Sequence, residues 1–311
     1  MSASGASGAE AVAHLCGALL RALERLDTSG EQALTGSERA SLLRDLRKSK
    51  LRRPDVVLRF SKDALAQAGP GSIEELNLFE QISLASMDVG EQSLLDFFMQ
   101  KLSKRFAPSS SNRMDRLRGM KLESEGRFDE ALELYAIVLK KSPSNMLVMK
   151  RVACVHRQKG DIAAAVAELH KILKLFSSDA ATWLELSEIH LGRGEYAEGA
   201  HCLEELVMLD PECAHYHARL ADTYYTIGGS EHLLLARKHY TMSLNRQHGI
   251  VNLRALYGLM AACRALQQLT DLPAAQKDLT KALFDFAKDT VVEVKVSGVG
   301  GRRPPTFIAT L

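Results

Sequence analysis

The chain lacks any uninterrupted apolar run approaching about 18 residues, so no segment reads as a membrane-spanning helix. It has five cysteines, Cys16, Cys154, Cys202, Cys213 and Cys263, an odd set without paired spacing. That excludes a disulfide scaffold and fits thiols kept in a reducing compartment. Net charge is only +2, which argues against both a nucleic-acid binder and an acidic solvating chain. No Lys or Arg precedes the apolar segment Ala11 to Leu20, so it reads as an amphipathic helix and not a signal peptide. What is present is ordinary for a soluble protein: 46% hydrophobic and 25% charged residues over 311 positions, enough for an ample core.

The organising pattern runs from Asn112 to about Leu244. GRFDEALELY, GDIAAAVAEL and GEYAEGAHCL recur with their leading glycines, Gly126, Gly160 and Gly194, 34 residues apart, the period of a tetratricopeptide helix-turn-helix repeat. Blocks beginning at Asn112, Met146, Ala180 and Ala214 place Gly119, Ala153, Ser187 and Ala221 at the eighth position. Ala131, Ala165 and Gly199 fall at the twentieth. Small residues there let paired helices approach, and Tyr135, Leu169, Leu203, Leu139, Leu173 and Val207 fill the space between stacked hairpins. In the fourth block the next small residue, Ala236, comes three positions late, which predicts an insertion around Gly229 to His232 in the hairpin turn. With that shift, Gly258 becomes the eighth residue of a fifth block.

The predicted fold is therefore an all-α tetratricopeptide solenoid of about five to six hairpins. Residues 1–9 read as disordered and 10–72 as N-terminal helices at Ala11 to Leu26, Glu38 to about Arg53 and Val56 to Ala68. Residues 73–111 form a degenerate repeat, 112–269 the regular array and 270–311 a C-terminal helix and flexible tail. Within the last segment, Leu279 to Phe286 reads as helix, Val291 to Val296 as a short strand, and Phe307 to Leu311 as an apolar tail without a partner in the chain.

No catalytic constellation is visible, no cofactor is implied, and Gly228-Gly229 has neither the lysine nor the strand of a phosphate loop. His201, Cys202, Cys213, His215 and His217 loosely resemble a zinc set, but they lack a tight ligand pair and span a mid-helix and a turn. They read as ordinary repeat residues, as do Glu204 and Glu205 on a solvated face. Arg44, Arg47, Lys48, Lys50, Arg52 and Arg53 form the one dense basic run, read as a solvated helix face in preference to a patch for anionic headgroups or an acidic partner.

In a tetratricopeptide array the second, fifth, ninth and twelfth residues of each first helix line the groove. Here they are Arg113, Arg116, Met120 and Glu123; Leu147, Lys150, Cys154 and Arg157; Ala181, Leu184, Glu188 and Leu191; and His215, Ala218, Asp222 and Tyr225. This lining suits a protein segment better than a small substrate, with Arg116, Lys150, Leu184, Leu191 and Tyr225 as the candidate contacts. A co-chaperone clamp for a terminal carboxylate needs Asn at the ninth position, where this chain has Met120 and Cys154. A soluble adaptor that binds peptide tails of chaperones or clients is thus the secondary reading.

Several features together resemble the family of subunit 2 of the endoplasmic reticulum membrane protein complex. They are Trp183 with Leu186 and Glu188, the CLEEL run from Cys202 to Leu206, and YTIGG from Tyr225 to Gly229. ARKHY from Ala236 to Tyr240 and RALYGL from Arg254 to Leu259 complete the set. The resemblance covers about Val56 to Ala265. It implies a non-catalytic cytosolic scaffold, bound peripherally through its partners to a complex that inserts transmembrane segments, tail anchors included. The implied partners are the cytosolic parts of membrane-embedded subunits and a globular subunit of the 8/9 type, with no nucleic acid.

Overall fold

The computed structural model describes residues 22–23, 25–26, 34–49, 51–107, 111–246, 252–269 and 272–297. Fourteen helices and no strand occur among them. The first seven are α1 (Gly36–Ser49), α2 (Pro54–Gln67), α3 (Ile73–Val89), α4 (Gln92–Arg105), α5 (Asn112–Ser124), α6 (Phe128–Lys141) and α7 (Met146–Gln158). The rest are α8 (Ile162–Leu175), α9 (Ala180–Gly192), α10 (Tyr196–Leu209), α11 (Ala214–Ile227), α12 (Gly229–Arg246), α13 (Leu253–Gln267) and α14 (Ala274–Ser297). The pair α1 and α2 falls in the segment expected to hold N-terminal helices, and α3 to α14 make six successive pairs, within the five to six hairpins that the repeat pattern predicts. The chain clusters into two compact units, Met1–Arg151 and Val152–Leu311.

Helix lengths follow the repeat. From α5 to α10 they alternate between 13 and 14 residues, the tetratricopeptide arrangement. The turns close on Gly126, Gly160 and Gly194, whose φ values of 76°, 81° and 78° lie in the left-handed region that side chains resist. Starts are set by capping: the Ser111, Asp161 and Asp179 side chains accept the amides of Met114, Ala164 and Thr182.

The small positions sit where helices touch. A Cβ on Gly119 would lie 2.3 Å from the Tyr135 ring, and one on Gly258 would lie 2.4 Å from the Tyr240 ring. On Gly199 it would meet the Leu191 side chain at 2.7 Å. Ala131, Ala153, Ala165, Ala221 and Ala236 are all buried. Above these contacts the large side chains close each core. In the first unit Leu43, Leu46, Phe60, Leu78, Ile82 and Leu95 pack together, with the Phe79 and Phe98 rings 5.2 Å apart. In the second, Leu203, Leu206, Tyr240, Leu256 and Leu259 do so.

Three local readings are corrected. The insertion of the fourth block is not an enlarged loop: Gly228 and Gly229 turn the chain with φ of 77° and 78°, and the added residues extend α12 to 18 residues. The alternation of Val291 to Val296 does not make a strand, because α14 runs unbroken for 24 residues to Ser297. Leu283, Ala287 and Val291, four apart, are buried in the core of the second unit, so tertiary burial overrides the β-branched composition. The helix expected to run to about Arg53 ends at Ser49, and Pro54 opens α2, where its fixed φ and missing N–H cost nothing. Residues 1–9, most of the Ala11 to Leu26 helix and the Phe307 to Leu311 tail lie outside the described residues.

Candidate partner-binding faces

In the first unit, α1, the start of α2, α3, α5 and the start of α7 bound a groove of about 540 Å³. Its walls include Leu46, Leu51, Val57, Leu84, Met120 and Leu147. Leu51 and Leu147 are exposed, so the floor offers apolar surface. The cations around it are largely answered from within. Arg47 donates to both Glu74 carboxylate oxygens at 2.6 and 2.8 Å, and Arg52 donates to Asp88 at 2.5 and 3.1 Å. Arg113 and Arg116 both pair with Glu80, leaving one unit of positive charge where two cations are visible in sequence. Arg116 is therefore half-buried and engaged, not an open contact. Glu80, one period earlier in the degenerate pair, is the partner that the regular blocks conceal.

The same pairing covers much of the basic run. Arg53 bonds Asp55 at 2.9 Å, and the arginine holds that carboxyl below its usual range. Arg44 and Lys48 are exposed, and Lys50 lies outside the described residues.

Not every groove position faces outward. Glu123 is buried: its Oε1 accepts the Tyr135 hydroxyl at 2.5 Å and Arg151 Nε–H at 3.0 Å, and its Oε2 takes a second Arg151 bond. Burial first, and the Glu123 carboxylate second, push the Tyr135 hydroxyl pKa well above its usual value. Lys150 is half-buried on α7.

In the second unit the first helices carry matched charges. Arg157 donates to Glu185 and Arg219 to Glu188, each at 3.2 Å. Asp222 accepts the Tyr240 hydroxyl at 2.6 Å and pairs with Arg254 at 2.6 Å. Ala218 is buried; Leu184 and Leu191 are half-buried against the core, Leu191 lying over Gly199. Tyr225 is the one candidate contact that is openly exposed, at 39%. Leu253 and Tyr257 of α13, not among the sequence candidates, are exposed as well. The repeat register does not point to them: with Gly258 as the eighth residue, the inner positions of the fifth block are Asn252, Ala255, Leu259 and Ala262, of which the last three are buried.

The zinc-like set does not assemble. His201 is exposed, lies 3.8 Å from Glu204 and sets its ring edge-on to Trp183, while Cys202 is buried and its thiol is pushed up to about 11 by burial. No group of three or more metal-ligating side chains converges among the described residues. His217 instead pairs with His239 of α12, Nδ1 to Nδ1 at 3.0 Å, with the rings stacked. His217 Nε2 lies 3.0 Å from the Pro211 carbonyl, which only accepts, so Nε2 carries the proton. His217 Nδ1 is then the acceptor and His239 Nδ1–H the donor.

Comparison with known proteins places this geometry among relatives. The EMC2 TPR-like repeat domain matches residues 92–229. "ER membrane protein complex subunit 2" of Xenopus tropicalis is 35% identical over 182 residues, covering 58% of this chain and 60% of the relative. The Dictyostelium discoideum protein of the same name is 29% identical over 236 residues, covering 72% of this chain and 73% of the relative. "TPR repeat protein oca3" of Schizosaccharomyces pombe is 26% identical over 241 residues, covering 76% and 84%. The chain thus spans about 60% of the length of the Xenopus relatives it matches.

Proposed function

We propose that the chain, whose residues 92–229 match the EMC2 TPR-like repeat domain, is a non-catalytic scaffold subunit of an endoplasmic reticulum membrane protein complex. The observation that carries the reading is where the match falls: on helices α4 to α11, which include the regular pairs α5–α6, α7–α8 and α9–α10, a helical array of the kind that offers protein-binding surface. No helix among the described residues is long and apolar enough to cross a membrane. In this reading attachment is through partners, at the cytoplasmic face and peripheral to the bilayer. The partners are the cytosolic parts of membrane-embedded subunits and a globular subunit of the 8/9 type. In this role the chain supports insertion of transmembrane segments, tail-anchored ones included, by supplying assembly free energy through buried surface.

Tyr225 gives the cleanest test of the inner face, because Leu184 and Leu191 also serve the core. Tyr225→Asp leaves thermal unfolding within a few degrees of the parent and reduces co-purification of the membrane subunits at least tenfold. Leu253 and Tyr257 enter the same series. Undiminished co-purification of a folded Tyr225→Asp protein removes this face from the interface. Salt-labile recovery of soluble chaperones alone supports the adaptor reading instead.

A further inference from the structure

The second unit holds a buried cation that the scaffold reading does not use. Arg237 of α12 is 6% exposed. Its Nη1 donates to Thr280 Oγ1 at 2.6 Å and to the Gln276 carbonyl at 3.4 Å, and its Nη2 donates to Gln276 Oε1 at 2.5 Å. Every one of these acceptors is neutral. Among the described residues no carboxylate pairs with the guanidinium, although ion pairs answer arginines elsewhere on both units. Nε–H and one Nη2–H have no protein acceptor among the described residues, and an arginine uses such hydrogens to grip a carboxylate at two points.

This cation lines a cavity of about 350 Å³ between α12 and α14. Leu234, Leu235, Met242 and Leu283 give it apolar walls, and exposed Lys238 adds a second positive charge. Gln276 belongs to the first turn of α14, whose free amide ends carry partial positive charge. Among the described residues that line the cavity, Glu231 is the one carboxylate; it is exposed and makes no ion pair with Arg237. A clamp on neutral acceptors needs no charge, and a buried charge without a counter-charge is costly. Apolar walls that exclude water make the same charge a strong anchor for an anion that enters.

We propose that the cavity between α12 and α14 binds a carboxylate side chain carried on an apolar segment of a partner protein, with Arg237 as its counter-charge and Leu234, Leu235 and Met242 receiving the flanking apolar residue. The site lies apart from the inner-face residues and stands whether or not the scaffold reading holds.

The test uses the full chain and two fluorescein-labelled, amidated octapeptides of leucine and alanine that differ only in a central Glu or Gln. By fluorescence anisotropy the Glu peptide binds at least tenfold more tightly, and Arg237→Gln brings it down to the Gln peptide. Because Arg237→Gln removes bonds that hold α14, Leu235→Glu supplies the second arm. It places a carboxylate on the cavity wall, leaves Arg237 intact and suppresses Glu-peptide binding to the same degree. Equal affinity for the two peptides overturns the proposal, as does binding that Leu235→Glu leaves unchanged. Arg237-dependent retention on phosphatidylserine vesicles, with no preference for the Glu peptide, assigns the site to a membrane and overturns it too. Competition by inorganic phosphate with equal peptide affinities does so by marking a free-anion site.

Discussion

Arg151→Met lowers the stability of the Met1–Arg151 unit by about 3–5 kcal/mol, the usual cost of stranding one partner of a buried ion pair. The Glu123 side chain is only 3% exposed and has two partners, Tyr135 and Arg151. The Tyr135 ring cannot move to compensate, because it is fully buried and packed on Gly119, where even a Cβ would clash. Once the guanidinium is gone, the carboxylate keeps one hydroxyl and no counter-charge. Urea unfolding monitored in the first unit reports the loss as a lower midpoint with unchanged slope. Glu123→Met in the Arg151→Met background restores most of the stability, because it removes the stranded charge along with its partner. A loss below about 1 kcal/mol for Arg151→Met would place the pair in the class of solvent-screened bridges.

The second large effect is a loss of stability of the second unit on acidification, set by the His217–His239 pair. Burial first, then the positive charge that His217 and Lys238 can present, pushes the His239 pKa down to about 4. Burial also lowers His217, with Arg246 adding to that and the Pro211 carbonyl and Glu212 opposing it. Tyr224 packs against the His239 ring, and its hydroxyl donates to Glu204. Tyr224 also lies against His232. A histidine with a depressed folded value binds fewer protons folded than unfolded. The stability is therefore present above the unfolded pKa and drains away as pH falls from about 6.5 to about 4. The loss between pH 7 and pH 5 is about 2 kcal/mol, approaching about 3 below pH 4. Protonating His217 on Nδ1 would also set two N–H donors against each other. His239→Gln keeps a donor for His217 without the titration, so it flattens the stability–pH curve across this window. An unchanged curve in His239→Gln assigns the acid sensitivity to other groups.

Much of the fold was legible because tetratricopeptide packing is local and periodic. The glycine ruler fixes left-handed turns at a constant interval, and the small residues mark where Tyr135, Tyr240 and Leu191 must come close. The Val291 to Val296 segment misled because alternation and a four-residue period coexist in it. Only the burial of Leu283, Ala287 and Val291 decides between them. The faces were less legible. Glu80 neutralises part of Arg113 and Arg116 across 33 to 36 residues, a pairing no short window contains. Glu123 shares the register of an open groove residue, yet Tyr135 and Arg151 draw it inside. Arg237 stands in the ARKHY run with no sign in the sequence that it is buried, and α14, an element outside the repeat ruler, covers it.

The central claim is that this chain works as a fixed part of a membrane assembly. Native mass spectrometry of the chain extracted with membranes in mild detergent tests it most directly. The account predicts one stoichiometric particle that holds this chain together with membrane-embedded subunits and survives high salt. Recovery of the chain alone, or with soluble chaperones that salt removes, would contradict it.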